Sequence, residues 1–389
     1  MHILSDEIRR RQYAVRERMS RAGVDALITG ASAQMDFRGV LRYICNYYLP
    51  VFEEYLVVPL SGPMTFFAHD SSGADYMAEF GVADDVRIIP GYEYNSDPGR
   101  CVGEFVKSLA PKSLGIAGYA GISANFYLSL RRHLGGLEPR DFTKELNAVR
   151  MVKSPAEIAL TEAAIALNED AFRQYLQLVR PGNRELDAVD RISEAALKKG
   201  AEDLYWMASS GKIPRLGYLS EARRRKHVWQ AGDYHYIVLE HSAEGGHFGE
   251  TTHLISLGAP NPEYERVFAV VCKSQRAAAA QIKPGALVGK LADAAEEVLT
   301  DAGYAAPYKG ESSIVTRPPA IGHSQGLDVW EFPRIVHGDE TVIQPGMRFN
   351  LHPAVTLLDG AKITSCDCWI STETGGRRLS SLPYEIIVV

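Results

Sequence analysis

Two histidines are the residues of this chain best suited to acid–base chemistry. His323 stands in the segment 321–333, directly after a glycine, where the missing side chain lets backbone approach a ligand closely. His352 precedes a proline near the end of the segment 346–353. Because histidine changes its charge near neutral pH, either ring can accept or donate a proton during a reaction.

Two glutamates accompany these histidines. Glu240 directly follows a predicted strand and Glu250 precedes another, and a carboxylate beside an imidazole can set its tautomer and charge. We expect one histidine to activate water or to remove a substrate proton, while Glu250 orients it or binds a cationic group. The other histidine would protonate the leaving nitrogen or oxygen. Burial should raise the pKa of such a carboxylate, which would let it donate a proton.

The elements that position these residues follow from hydrophobic spacing and capping signals. Ser154 followed by Pro155 is typical of a helix start, and Gly23 and Gly200 are typical of helix ends. Apolar spacing predicts helices at 5–22, 156–178, 185–199, 262–282 and 287–302. Predicted strands occupy 25–29, 55–59, 64–68, 113–117, 234–239, 253–257, 348–351 and 361–370.

Strands alternate with helices up to the segment 144–160, which predicts a smaller α/β domain over residues 1–145 and a second domain over residues 146–389. The length of 389 residues is enough for two domains. No internal repeat or low-complexity segment marks a third.

Bulk composition excludes several classes of protein. The formal net charge of -6 argues against a nucleic-acid-binding protein, and the basic cluster 223–226 is typical of a solvated turn. Five scattered cysteines show no disulfide framework. The amino terminus does not resemble a signal peptide, and no apolar run is long enough for a membrane span. We therefore expect a cytoplasmic protein that acts on a small molecule, with no nucleic-acid or membrane partner and no cofactor.

Four segments together resemble the creatinase, prolidase and aminopeptidase P family. They are Arg150 to Ile158, the stretch from Gly232-Asp233 to Thr251-Thr252, Gly322 to Pro333, and Gly346 to Pro353. The resemblance covers nearly the whole chain. It implies an α+β architecture in which a creatinase-type N-terminal α/β domain precedes a pita-bread catalytic domain.

The resemblance also implies a site for two metal ions, held by a histidine and four carboxylates, and this chain departs from it. His323 is kept, and Glu250 replaces the second aspartate. His352 and Cys366 replace the two glutamates, while the first aspartate falls near Val238 to Glu240 in an uncertain register. Two carboxylates would leave two dications with a large uncompensated charge. We therefore expect no metal ligands, although one zinc or iron ion on two histidines, a glutamate and a cysteine is chemically reasonable.

Further residues are predicted to contact the substrate. No histidine follows Trp206 before Lys226, where peptidases of the resembled family carry one, so hydrolysis of proline peptides is in doubt. Glu331, with Asp328, could instead brace the turn of the histidine motif, and Cys366 could be an ordinary buried cysteine. The predicted substrate-binding residues are Glu240, His247, Tyr205, Trp206, Glu331 and Cys366.

The resemblance further implies a homodimer in which the N-terminal domain of one subunit approaches the active site of the other. The aromatic segment 43–50 could then cover the partner's pocket, or it could be a strand of the hydrophobic core.

These observations predict an enzyme. The first hypothesis is a metal-independent, creatinase-like hydrolase of a small amide or amidine that uses His323, Glu250 and His352 as catalytic residues. The alternatives are a lyase on the same scaffold, an Xaa-Pro-peptidase-like hydrolase with one remodelled metal ion, and a binding protein without catalytic activity.

Overall fold

The computed structural model describes residues 5–31, 38–48, 52–216, 226–304 and 320–389. These residues form two compact units. The first extends to Met151 and includes residues 327–329, and the second contains the rest of the chain from Val152. The division lies a few residues beyond the boundary expected after residue 145. The basic cluster 223–226 falls almost wholly outside the described residues.

The first unit alternates helices with strands. Its helices are α1 (Ser5–Ala22), α2 (Gly39–Cys45), α3 (Ser71–Phe80), α4 (Gly91–Ser96), α5 (Arg100–Ser108), α6 (Ala124–His133) and α7 (Thr143–Met151), with a 3-10 turn at Tyr119–Gly121. Its strands are β1 (Ala26–Ala31), β2 (Glu54–Pro59), β3 (Thr65–Ala68), β4 (Asp85–Ile88), β5 (Leu114–Ala117) and β6 (Arg140–Asp141).

These six strands form one mixed sheet in the order β4-β3-β2-β1-β5-β6. The predicted hairpin is confirmed, because β2 and β3 pair antiparallel with Leu56 opposite Phe66. Successive residues of β1 face opposite sides of the sheet, and both sides are buried. Leu27 packs into one apolar cluster and Ile28 into the other. Gly23, at φ 63°, follows the last turn of α1 as the sequence predicted.

The segment 43–50 does not form the predicted core strand. Tyr43 to Cys45 belong to α2, whose side chains are buried in the first unit. The helix ends at Asn46, which takes a left-handed conformation and donates its backbone N–H to the carbonyl of Arg42. The first three residues of the segment are therefore buried helix, and Asn46 to Tyr48 follow it without regular secondary structure. The last two residues of the segment lie outside the described part of the chain.

The second unit contains two long sheets and a group of amphipathic helices. Its helices are α8 (Pro155–Leu176), α9 (Glu185–Lys198), α10 (Pro262–Ala279) and α11 (Gly289–Asp301). Its strands are β7 (Trp206–Gly211), β8 (Tyr234–Leu239), β9 (Thr251–Ser256), β10 (Ala320–Ser324), β11 (Glu331–Val336), β12 (Arg348–Leu351), β13 (Ala354–Thr356), β14 (Lys362–Thr364), β15 (Asp367–Thr372), β16 (Gly375–Arg378) and β17 (Ile387–Val388).

One sheet has the order β17-β9-β8-β7 and the other the order β11-β10-β12-β15-β16, with β13 and β14 as a separate pair. The helix start predicted at Ser154 is confirmed, since Ser154 and Glu157 form a capping box around Pro155. The single strand predicted at 361–370 is wrong. The chain changes partner at Cys366, because β14 pairs with β13 whereas β15 pairs with β12.

Cys366 itself bridges to Thr252 of β9. This bridge, together with the change of partner, connects the two long sheets at the point where the polar residues of the unit gather.

His235 in β8 makes the second unit sensitive to acid. Its ring nitrogens contact the hydroxyl groups of Tyr175 and Ser210, at 2.6 and 2.7 Å. Burial lowers its pKa to about 3. Since the unfolded chain binds this proton near pH 6.5 and the folded chain does not, the free energy of unfolding should fall as pH drops from about 6.5 towards 3.

We therefore predict a loss of up to about 1.4 kcal/mol per pH unit from this residue alone. Denaturant unfolding of the wild type and His235→Gln across this range would measure it. The variant should show the shallower acid dependence, and identical slopes would contradict the prediction.

Candidate functional site

A cavity of about 340 Å³ lies in the second unit. Residues of both long sheets and of β13 and β14 line it, so groups distant in sequence share one wall. The lining consists of Met207, Leu216, Val238, Glu240, Glu250, Thr252, Ala320, His323, Trp330, Arg334, His352, Ala354, Lys362 and Thr364. All three predicted catalytic residues are among them.

Glu250 accepts hydrogen bonds through both of its carboxylate oxygens. Its Oε2 accepts a hydrogen bond from Asn350 Nδ2 at 2.6 Å, and its Oε1 accepts one from the Cys366 thiol at 3.0 Å. Burial alone would raise its pKa, but the charges of His323 and His352 and these two hydrogen bonds lower it below the usual value. The expected raised pKa, and with it a proton-donating role for Glu250, is therefore wrong. Glu250 is an ionised acceptor at neutral pH.

His323 is fixed in one tautomer by its surroundings. Its Nδ1 lies 2.7 Å from the backbone carbonyl oxygen of Ser324. Since a carbonyl oxygen only accepts, Nδ1 carries the proton. Burial, the largest influence, lowers the pKa of His323 to about 4. The ring is therefore neutral at pH 7, and its Nε2 presents a free lone pair.

The free lone pair of His323 faces the carboxylate of Glu250. The distance from Nε2 to Oε2 is 3.9 Å, which is too long for a direct hydrogen bond. Two acceptors placed this way suit a ligand that donates to both, such as water or an amino group. Trp330 stacks on the imidazole, with ring centroids 4.2 Å apart at 14°, and so holds the plane of the ring.

His352 and Cys366 complete the polar cluster. The His352 ring centroid lies 5.0 Å from that of His323, close enough for both rings to contact one small substrate. Burial, the largest influence, and the nearby Glu250 raise the pKa of the Cys366 thiol well above its usual value. Cys366 is therefore a protonated hydrogen-bond donor to Glu250 rather than a thiolate.

Three residues that the sequence reasoning missed hold the acids in place. Asn350 Nδ2 bonds Glu250, and Gln325 Nε2 donates to Glu240 Oε2 at 2.7 Å. The fully buried Arg348 donates to Gln325 Oε1 at 2.5 Å and to Asn350 Oδ1 at 3.1 Å. One sequence signal could have identified two of them. Arg348 and Asn350 are two positions apart in the predicted strand β12, so their polar side chains lie on the same face of a buried strand.

The uncertain register of Glu240 is resolved. Val238 and Glu240 both line the cavity, whereas Leu239 packs into the apolar cluster beneath the sheet. Strand β8 pairs with β9 so that Val238 lies opposite Thr252. Glu240, the acid nearest to the position expected for the first aspartate, is thus the residue directly after β8, and it faces the cavity.

Other predicted substrate-binding residues lie away from the cavity lining. Tyr205 accepts the backbone N–H of Glu240 through its own carbonyl, and Trp206 packs against the apolar cluster of β8. His247 is buried with its Nε2 3.6 Å from Glu157 Oε1. Glu331 forms a buried ion pair with Lys153 at 2.5 Å. Their roles in substrate binding stay predictions.

Two features of the histidine motif serve packing. A side chain on Gly322 would meet the carbonyl oxygen of Asn350 in the adjacent strand, so this glycine admits neighbouring backbone rather than a ligand, contrary to our expectation. Asp328 accepts hydrogen bonds from the backbone of Gly39 and from Arg150, both at 2.7 Å. These two hydrogen bonds are the contacts expected if Asp328 braces the turn of the histidine motif.

The donor chemistry of the cavity does not fit a pair of metal ions. In the part of the chain that the structure describes, no group of three or more histidine, cysteine, aspartate or glutamate side chains is arranged to hold one. The Cys366 thiol is protonated and bonded to Glu250, and an amide, Asn350, occupies the other oxygen of that carboxylate. No step of the reaction is therefore assigned to a metal ion.

Comparison with known proteins gives the family. Residues 159–380 match Metallopeptidase family M24, and residues 11–152 match the Creatinase/Prolidase N-terminal domain. The chain belongs to metallopeptidase family M24. The predicted family and two-domain fold are thus confirmed, and the predicted enzyme class, a hydrolase acting on C–N bonds, is confirmed at the level of the family. What this M24 chain itself hydrolyses stays a proposal.

Relatives of this M24 chain include peptidases. A "Probable dipeptidase PepE" of Mycobacterium tuberculosis is 29% identical over 260 residues, which cover 65% of each chain, slightly less than two thirds of that protein's length. A "Xaa-Pro dipeptidase" of Pyrococcus horikoshii is 26% identical over 73% of this chain and 78% of that protein. The crystal structure of dipeptidase PepE from Mycobacterium ulcerans matches all of both chains, with 25% identity and a TM-score of 0.80.

The family corrects one prediction. A metal-independent hydrolase is contradicted, because the chain belongs to a family of metallopeptidases and is similar to Xaa-Pro dipeptidases. A small number of carboxylates describes which metal-binding groups the cavity offers, and it does not by itself determine the function. Separately, none of the described helices is both long and apolar enough to cross a membrane.

Proposed function

We propose that this chain hydrolyses the C–N bond of a small amide of about dipeptide size in the cavity around Glu250 and His323. The observation that carries the proposal is the pair of acceptors, Glu250 Oε2 and His323 Nε2, 3.9 Å apart and both lining the cavity. The similarity to dipeptidases supports the class of substrate. The volume of about 340 Å³ favours a small ligand, because it lies near the lower end of the usual range for ligand sites.

The acceptor pair defines where the nucleophile binds. A water molecule between the two atoms would donate one hydrogen bond to each. As this water attacks the carbonyl carbon of the substrate, His323 Nε2 takes its proton. The ionised Glu250 stabilises the imidazolium that forms, since an opposite charge at this distance favours the charged ring.

His352 is assigned to the leaving group. Its ring lies beside that of His323 on the cavity wall, so it can donate a proton to the departing nitrogen while His323 holds the proton taken from water. Glu240 is assigned to the binding of a cationic or amino group of the substrate, because it faces the cavity and its carboxylate is held there by Gln325.

A panel of dipeptides and N-acyl amino acids tests the proposal. We expect the purified protein to release free amino acids from at least one class, as measured by mass spectrometry of the products. The panel should include dipeptides with and without proline on the leaving side, since proline selectivity is in doubt. Unchanged substrates across the whole panel, with folded protein, would contradict the proposal.

We also propose a cytoplasmic homodimer that works on small molecules without a nucleic-acid or membrane partner. The five free cysteines suit a reducing compartment, and the resemblance to dimeric members of the family supports the dimer. Light scattering after size-exclusion chromatography would test it, since a single peak at the monomer mass of 42.8 kDa would contradict a stable dimer.

A further inference from the structure

One cation in the cavity has no role in the proposed hydrolysis. Lys362 is the first residue of β14 and lines the cavity together with Thr364, two residues further on the same face. Its backbone N–H is bonded to the carbonyl oxygen of Pro214, which fixes the position from which its side chain extends. The backbone of Lys362 is therefore fixed in place at the cavity lining.

The ammonium group of Lys362 has no counter-ion among the residues that the structure describes. Among the described residues, no carboxylate lies within 4.0 Å of its ammonium group, although Glu240 and Glu250 line the same cavity. Lys153 and Arg378 of the same unit do have such partners, in Glu331 and Asp367, and the fully buried Arg348 is bonded by neutral groups instead. Partial burial of a cation without a counter-ion is unfavourable in free energy, and binding of an anionic ligand would offset this unfavourable term.

The remaining charges of the cavity have a definite arrangement. Glu240 and Glu250 lie at the ends of β8 and β9, whereas Lys362 lies on the separate β13-β14 pair. The exposed Arg334 is the other lining cation, and its guanidinium group rests on the Trp330 ring at 5.1 Å from the centroid. Acidic and basic groups therefore occupy different elements of one cavity, which suits a ligand that carries both kinds of charge.

We infer that Lys362 binds a carboxylate group of the substrate and thereby selects small amides that carry a free carboxylate. The inference rests on the proposed hydrolysis of a small amide and adds the charge of the substrate and the residue that recognises it. A carboxylate held at Lys362 would leave the amide bond free to reach the acceptor pair of Glu250 and His323, because Lys362 forms no contact with either of them. Lys362 is thus a specificity residue that does not itself contact the acceptor pair.

Burial gives the interaction a pH signature. It lowers the pKa of Lys362 from the usual lysine value. Since only the ammonium form attracts an anion, binding of a carboxylate should weaken as pH rises, beginning below the ordinary pKa of lysine. A site that relied on arginine would show no such loss, because arginine stays charged throughout this range.

Matched ligands separate the inference from the proposed function. Binding of N-acetylalanine and of its C-terminal amide, N-acetylalaninamide, would be measured by calorimetry in the presence of a chelator and again with added Mn²⁺, so that any contribution of a metal ion is seen. In the wild type we expect the carboxylate to bind about 10- to 100-fold more tightly than the amide. Equal binding of the two would overturn the inference, whether or not either ligand is hydrolysed.

Variants of Lys362 and Arg334 show which residue causes the preference for the carboxylate. Lys362→Met should abolish the preference for the carboxylate, and Lys362→Arg should restore much of it while retaining the charge. Arg334→Met, the matched control at the same cavity, should keep the preference. For a hydrolysed pair of substrates, Lys362→Met should raise KM for the carboxylate with kcat little changed, because binding remote from the reacting bond is lost equally in ground and transition states.

The outcomes are distinct. Carboxylate preference that depends on Lys362 without hydrolysis would support the inference and contradict the proposed function. Hydrolysis without a preference for the carboxylate would support the proposed function and contradict the inference. Preference that survives Lys362→Met but is lost in Arg334→Met would overturn the inference. Circular dichroism and the unfolding midpoint of Lys362→Arg show whether the position tolerates substitution.

Discussion

Replacing Glu250 by glutamine should lower kcat/KM by about 10²- to 10⁴-fold, the range for a group that supports proton transfer. The neutral amide cannot stabilise the imidazolium that forms on His323, whose Nε2 lies 3.9 Å from the carboxylate. The shape of the side chain is kept, and an amide can still accept a hydrogen bond from the Cys366 thiol or from Asn350. The fold should therefore persist, and the loss should appear mainly in kcat.

The control for this variant is Glu240→Gln. Glu240 faces the same cavity, is held by Gln325 and is assigned to substrate binding, so its replacement should change KM more than kcat. Steady-state rates of both variants, with circular dichroism to confirm folding, would decide. A Glu250→Gln variant that keeps its kcat would remove Glu250 from the chemistry.

Replacing His323 by alanine should lower kcat by a similar factor of about 10²–10⁴, because the acceptor of the proton from water is lost. The variant leaves a space the size of the ring beside Trp330, against which the imidazole stacks. Free imidazole added to the variant should therefore restore part of the rate, which a purely structural role of His323 would not allow.

The matched surface histidine is His337, which is half-exposed and bonded to Asp293 at 2.9 Å. His337→Ala should leave the rate within about 2-fold of the wild type, since a surface substitution of this kind usually has a small effect. If His323→Ala retained full activity, or if both histidine variants lost the same fraction of it, His323 could not be the acceptor.

Much of the fold could be predicted because its signals are local. The capping box at Ser154, the glycine after α1 and the largely apolar run of β8 depend only on neighbouring residues. The exchange of partner strands at Cys366 could not be predicted in this way, because it depends on pairing with β12 and on the bridge to Thr252.

The three predicted catalytic residues do line the cavity, but several predicted substrate-binding residues do not, and the electrostatics could not be predicted. Motif spacing brought His323, His352 and Glu250 together correctly as lining residues. The direction of the Glu250 pKa was predicted from burial alone, and the sign reversed because two histidines and two hydrogen bonds outweigh burial. Asn350 supplies one of those bonds from a strand a hundred residues away, which no local pattern reports.

Membership of family M24 also limits what can be predicted from the number of carboxylates. Counting carboxylates correctly described a donor set that does not assemble a metal-binding group within the described residues. It did not justify the step from that donor set to a metal-independent hydrolase, since the chain belongs to metallopeptidase family M24. The roles assigned to Glu250 and His323 rest instead on the distance between them and on their hydrogen bonds in the structure.

Turnover in water labelled with heavy oxygen tests the central claim most directly. If Glu250 and His323 direct a water molecule at the amide carbon, each new carboxylate product must contain one labelled oxygen atom, and Glu250→Gln must slow the incorporation together with the overall rate. Product formed from the same substrate without the label would show that the C–N bond breaks by elimination. That result would contradict the account.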